Sequence, residues 1–284
     1  QFATLLAAAA CCAITASAAA AAVHVTYGVP YVVRESGPVM ADVYVPPGEG
    51  PFPGVLVVHG GAWRMGNRAQ LAGVARALAE RGFTAVAISY RLAPAHKFPA
   101  QIDDCKAAVR WMRTEAAKWK IDPEHIGGFG YSAGAHLVAL LGTTSPGDGL
   151  EGVPEPEKLP STRLQAVAAG GAPCDFRPIP GDWDGLAFWL GGSPAEAPDQ
   201  YRNASPATFV TADDPPFFFF HGERDDLVPL LSPTQMHAEL TAAGVSAELH
   251  VVPKVGHLGC CMDRDSIERA VAFLERELKT SPKL

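Results

Sequence analysis

The chain has 284 residues, 48% hydrophobic and 19% charged, with a formal net charge of −7 at pH 7. It is long and apolar enough to bury one large core with no need of a second domain. The acidic balance argues against a nucleic-acid partner, because such binding neutralises phosphates with clustered Lys and Arg and no basic run occurs here.

Residues 1–22, QFATLLAAAACCAITASAAAAA, carry no charge and are small or apolar almost throughout. They lack the polar spacing of a buried amphipathic helix. Their form is that of the apolar and cleavage portions of a secretory signal, with Ala16-Ser17-Ala18 as one small-x-small site among several. Neither the Met nor the positive charge that opens such a signal is present. The expectation is a secreted or periplasmic protein; the competing reading is an alanine-rich tail. No later apolar run is long enough to cross a bilayer.

From residue 23 onward the sequence alternates between two periods. Residues 27–46, with YVVRE and MADVYVP around Ser36-Gly37-Pro38, read as an antiparallel hairpin at a sheet edge. VLVVHG (55–60) is a short continuous apolar run, as in a strand covered on both faces. AQLAGVARALAERG (69–82) has helical spacing and stops at Gly82. FTAVAISY (83–90) is a strand again. AQIDDCKAAVRWMRTEAAKWK (100–120) is a long helix with Ile102, Ala108 or Val109, and Met112 on one face. HIGGFG (125–130) and SAGAHLVALLG (132–142) follow as strand and helix. LQAVAAGG (164–171) and PPFFFFHG (215–222) are strands, PTQMHAELTAAG (233–244) a helix and SAELHVVP (246–253) a strand. A helix from about Arg264 to Lys279 closes the chain.

Repeated strand–helix–strand units imply an α/β domain over residues 23–284, with a mostly parallel sheet of about eight strands flanked by helices. Two segments break the rhythm. Residues 143–163, rich in Gly, Pro and Glu, read as a surface loop. Residues 173–212 hold Trp183, Phe188 and Trp189 among Pro and Gly, and read as a small cap insertion over one end of the sheet.

Open α/β sheets carry function at the carboxyl ends of their strands. Four turns stand there. In HGGAW (59–63), Gly60 and Gly61 let backbone N–H groups point into a cavity where they can hold an oxyanion. In GFGYSAGAH (128–136), Ser132 lies between a strand and a helix with small neighbours at Gly130 and Gly134. Such an elbow strains the serine backbone, projects its hydroxyl and sets the Ala133 N–H at the positive end of the helix. HGERDDLVP (221–229) offers a carboxylate to orient an imidazole, and VGHLG (255–259) offers His257. The order is serine, acid, histidine. Gly-x-Ser-x-Gly alone is weak evidence in a chain with 28 glycines; the four turns together are not.

From Thr26 to its C-terminus the chain resembles the α/β-hydrolase carboxylesterases. It is most similar to the hormone-sensitive-lipase-like esterases and the small bacterial esterases of the feruloyl and acetyl-xylan type. HGGAW, SYRLAP (89–94), FPAQIDDCKAAVRWMR (98–113), GYSAGAH and HGERDDLVP carry the likeness, in family order. One departure is Ala62, followed by Trp63, where the lipase-like branch has a third glycine; it shifts the likeness toward the esterase and formamidase branch. The resemblance implies Ser132 as nucleophile, His257 as general base and then acid, and Asp225 as the orienting carboxylate. Asp225 is preferred over Asp226 because the pattern HG-x-x-D, counted from His221, ends on it. Gly61, Ala62 and Ala133 would supply oxyanion N–H groups. No metal or organic cofactor is implied.

Trp63, Trp183 and Trp189 are expected as cavity walls, suited to short or aromatic acyl groups on a small-molecule or polysaccharide-linked ester. An amide hydrolase using the same residues, or a catalytically silent binding protein on this fold, are the rival readings. Among the remaining histidines, His59 is expected to brace the first turn, His136 to point along its helix and His221 to be a satisfied core imidazole. Cys105, Cys174, Cys260 and Cys261 read as free thiols, with a disulfide from Cys174 to the 260–261 pair as the minority alternative.

Overall fold

The computed structural model describes residues 22–279. The signal-like segment lies outside them, except for Ala22. Eight strands occur in chain order: β1 (His24–Arg34), β2 (Gly37–Val45), β3 (Phe52–Val58), β4 (Thr84–Ile88), β5 (Ile121–Tyr131), β6 (Val167–Gly170), β7 (Phe217–Gly222) and β8 (Ala247–Val252). The helices are α1 (Ala72–Glu80), α2 (Ala100–Thr114), α3 (Ala116–Trp119), α4 (Ala133–Thr143), α5 (Ala187–Leu190), α6 (Pro198–Asn203), α7 (Leu231–Ala242), α8 (His257–Cys261) and α9 (Arg264–Lys279).

The strands form one sheet in the order β1-β2-β4-β3-β5-β6-β7-β8. The β1–β2 and β2–β4 pairs are antiparallel, and every pair from β4 to β8 is parallel. The fold is that of an α/β-hydrolase, with the hairpin at its antiparallel edge.

Because successive strand side chains point to opposite faces, continuous apolar runs divide between two cores. Leu56 and Val58 of β3 pack with Ile102, Val109, Leu137 and Leu141 of α2 and α4. Val55 and Val57 pack on the other face with Val74, Leu78, Phe273 and Leu274 of α1 and α9. The run Phe217–Phe220 divides in the same way: Phe217 and Phe219 join the first core, Phe218 and Phe220 the second.

Two expectations need correction. The long helix over 100–120 breaks at Glu115, whose φ of −94° and ψ of 15° separate α2 from α3. Lys120 ends α3 in the left-handed region. The 143–163 segment is not wholly a surface loop, because Leu150 and Glu151 are buried. Glu151 accepts from Lys106 Nζ at 2.6 Å and from the Arg110 guanidinium, both on α2. Thr162 donates to the same carboxylate at 3.0 Å. Two cations sharing one buried carboxylate fix the loop to α2, and removing that carboxylate would leave both unpaired.

Cys105, Cys174, Cys260 and Cys261 are free thiols, the first three buried. No described helix is long and apolar enough to cross a membrane.

Candidate active site

The backbone ladder of the sheet continues past the strand ends and sets the four turns beside one another. Ser132 N–H donates to Gly170 O at 2.7 Å and Gly171 N–H to Phe220 O at 2.9 Å, joining the ends of β5, β6 and β7. Glu223 N–H donates to Val252 O and Arg224 N–H to Val255 O, each at 2.9 Å, joining the loops after β7 and β8.

Ser132 has φ 55° and ψ −122°, a conformation that costs a non-glycine residue about 1–3 kcal/mol. The neighbours show why the elbow needs small residues. A Cβ on Gly134 would overlap the Val58 carbonyl oxygen, and one on Gly130 would overlap the Gly134 carbonyl. The strand and the helix that leave the serine are in direct backbone contact. Ala133 opens α4, so its N–H has no intrahelical acceptor.

His257 opens the short helix α8, and Asp225 lies in the loop after β7. His257 Nδ1 donates to Asp225 Oδ2 at 2.6 Å, which leaves Nε2 as the free ring nitrogen. Oδ1 of Asp225 accepts from the N–H groups of Leu227 at 3.0 Å and Val228 at 2.8 Å. The Asp225 side chain is fully buried, whereas Asp226 is exposed. His221 Nε2 stands 3.2 Å from Asp225 Oδ2 and donates to Val228 O at 2.8 Å. His221 is less than fully satisfied, because its Nδ1 is buried without a partner. Burial pushes its pKa below the ordinary histidine range.

Ser132, Ala133, Ala62, Trp63 and His257 line one cavity of about 530 Å³. The rest of its wall is largely apolar and comes from Phe176, Ile179, Trp183 and Leu186 of the 173–212 segment and from Leu227, Val228 and Leu231. Ala62 and Trp63 have φ of 49° and 58°, two left-handed residues in succession. Gly61 precedes the cavity-lining Ala62. It borders a separate surface depression with Met65 and Gln70, and its carbonyl is capped by the amides of Arg64 and Met65 at 3.1 and 3.0 Å.

Trp189 is not a wall residue. It is fully buried behind Trp63, with ring centroids 3.7 Å apart and planes 2° from parallel. Its indole N–H donates to Gln101 Oε1 at 3.0 Å, and Gln101 Nε2 donates to Arg91 O at 3.0 Å and His96 O at 2.6 Å. Trp63 itself donates to His136 Nδ1 at 3.1 Å, and His136 Nε2 donates to Ala204 O at 2.6 Å. His136 thus fixes the cavity wall from behind. Burial lowers its pKa to about 4, so it is neutral at pH 7. His59 is also held at about 4 by burial; it donates to Gly60 O at 2.7 Å and stacks on Tyr90. Both imidazoles are braces.

Sequence reasoning passed over Gln101 and gave His136 no partner, because both act through residues distant in the chain. Outside this site, His250, Asp263 and Asp265 lie within 4.8 Å of one another, but their carboxylates are committed to Ser266 and Arg269.

The family model BD-FAE matches residues 41–240, a range that holds Ser132 and Asp225 and stops before His257. The chain belongs to the BD-FAE family. Esterase LipQ of Mycobacterium tuberculosis is 32% identical over 200 residues, 68% of this chain and 47% of the relative. Esterase LipC of the same organism is 33% identical over 227 residues, 73% of this chain and 53% of the relative. The chain spans about half the length of these curated relatives. Among solved structures, a truncated carbohydrate esterase from gut microbiota superposes with a TM-score of 0.81 at 27% identity, covering 90% of this chain and 97% of that one. A bifunctional GH43-CE protein of Bacteroides eggerthii superposes with a TM-score of 0.81 at 30% identity, covering 89% of this chain and 35% of that one.

Proposed function

We propose that this BD-FAE family member hydrolyses carboxylic esters through Ser132, His257 and Asp225. The observation that carries the reading is the cavity shared by a strained elbow serine and a histidine whose Nδ1 is bound to a buried carboxylate at 2.6 Å.

Ser132 Oγ gives its proton to His257 Nε2 and attacks the ester carbonyl. Negative charge gathers on the carbonyl oxygen, where the N–H groups of Gly61, Ala62 and Ala133 receive it. The tetrahedral species collapses as the alkoxide leaves with the proton from Nε2. Water then enters, is deprotonated by the same nitrogen and releases the acid. Asp225 keeps Nδ1 protonated and stabilises the imidazolium formed in each half-reaction.

The cavity favours short or aromatic acyl groups, because its wall is apolar and Trp63 is held rigid on Trp189. The carbohydrate esterase from gut microbiota among the structural neighbours supports a polysaccharide-linked ester as substrate. Export, suggested by residues 1–22, would place such an enzyme where polysaccharide is met. N-terminal sequencing of the protein recovered from its own cells tests that part.

The activity is tested with p-nitrophenyl esters of graded chain length, methyl ferulate, acetylated xylan and p-nitroacetanilide. Turnover of acetyl or feruloyl esters well above the anilide is expected. Preference for the anilide would move the reading to an amide hydrolase, and no turnover of any substrate would leave a binding protein.

A further inference from the structure

We propose that Tyr131, the residue before the elbow serine, is a positioning residue that holds His257 in register with Ser132. The inference rests on the catalytic reading above and adds to it a strut between the end of β5 and the start of α8.

Helix α8 has five residues, and only His257 and Cys260 among them are buried. Leu258 is 76% exposed, and Met262 just after the helix is 81% exposed. Little apolar packing therefore fixes this helix. Both of its buried residues meet Tyr131. The phenol, itself buried, donates to the backbone carbonyl of His257. Cys260 shares the buried cluster that holds Tyr131. The tyrosine ring also lies against the imidazole, with centroids 5.3 Å apart.

Across from the phenol is Gly171, in the left-handed region at φ 58°. A Cβ there would come within 3.0 Å of both His257 Cε1 and the Tyr131 hydroxyl. His257 is thus held at two places, its Nδ1 by Asp225 and its backbone carbonyl by Tyr131, and the ring stands where a side chain at Gly171 would have no room. The hydrogen bond to Asp225 alone fixes a ring atom and leaves the backbone of a loosely packed helix free to shift. Since Tyr131 and Ser132 are consecutive, the strut references histidine directly to nucleophile. Burial raises the phenol pKa well above the ordinary tyrosine range, so the donor persists at any working pH.

The test uses Tyr131→Phe, which removes one oxygen and keeps the ring. Expected is a fall in kcat of roughly tenfold or more on p-nitrophenyl acetate, the scale of a small misplacement of a catalytic group. KM should stay within about twofold, because no hydroxyl contact to substrate is lost. In an Asp225→Asn background the same change should cost much less, since the imidazole is already misoriented. Unchanged kcat, or a loss that is equal in both backgrounds, overturns the proposal. Should the Phe variant not accumulate as folded protein, Cys260→Ala loosens the packing of α8 in the buried cluster it shares with Tyr131. A fall in kcat at unchanged KM supports the strut; unchanged kcat overturns it. Ser132→Ala in the same assay separates the two levels: turnover surviving there sinks the catalytic reading itself. Turnover lost there but unaffected in Tyr131→Phe sinks only the strut.

Discussion

His257 Nδ1 lies 2.6 Å from Asp225 Oδ2, although Asp225 lies in the loop after β7 and His257 opens α8 after β8. The backbone hydrogen bonds from Glu223 to Val252 and from Arg224 to Val255 make that distance a property of the backbone as well as of the side chains. Asp225→Asn should therefore fold normally and lose about three to four orders of magnitude in kcat, because the amide favours the wrong imidazole tautomer. Asp226→Asn, at an exposed position, should stay within about twofold of the parent. Steady-state kinetics on the two variants side by side decide between the carboxylates.

The two cavity tryptophans should separate stability from substrate choice. Trp63 is 5% exposed, stacked and hydrogen-bonded; Trp183 is 45% exposed at the cavity rim. Trp63→Ala should cost about 3–5 kcal/mol in urea unfolding. Trp183→Ala should leave the unfolding midpoint nearly unchanged and raise KM for the bulkier esters several-fold more than for the acetate. An equal effect of the two changes on stability would contradict this division.

At the elbow, sterics set a hard limit. Gly134→Ala places a methyl group on the Val58 carbonyl oxygen, and both partners are backbone. The variant should lose more than about 2 kcal/mol of stability or fail to accumulate. An alanine variant with parental stability and activity would mean that the strand and helix separate more freely than their contact indicates.

Stability should depend on pH through the buried imidazoles. Burial holds His59 and His136 at about 4, below the ordinary 6.5. The unfolded chain therefore takes up protons that the folded chain refuses, so stability is full above pH 6.5 and falls as pH drops toward 4. For the fully buried His136 the loss over that window is of the order of 3 kcal/mol. His136→Gln keeps an acceptor for Trp63 and a donor for Ala204 but does not titrate. Its thermal midpoint should fall less steeply between pH 6.5 and 4 than that of the parent, and an identical slope would exclude His136 as a source.

Much of this architecture was legible because it is written in local pattern. Continuous apolar runs, helical spacing and glycine stops placed most of the strands and helices, and the Ser132 elbow announced itself by small residues at a strand-to-helix junction. What stayed hidden depends on partners far apart in the chain. Glu151 sits in a Gly- and Pro-rich segment and is buried only because Lys106 and Arg110 meet it. Trp189 looked like a wall, yet Trp63 covers it. Tyr131 had no pattern of its own: its hydroxyl acquires a partner only once α8 is placed.

The central claim is that the Ser132 hydroxyl is the nucleophile activated by His257. Peptide mapping by mass spectrometry after treatment with diethyl p-nitrophenyl phosphate reads it directly. The account predicts one diethylphosphoryl adduct, on the peptide holding Ser132, with activity lost in proportion and labelling largely abolished in His257→Ala. An adduct on another residue with Ser132 unmodified, or complete inactivation with no covalent adduct, would contradict it.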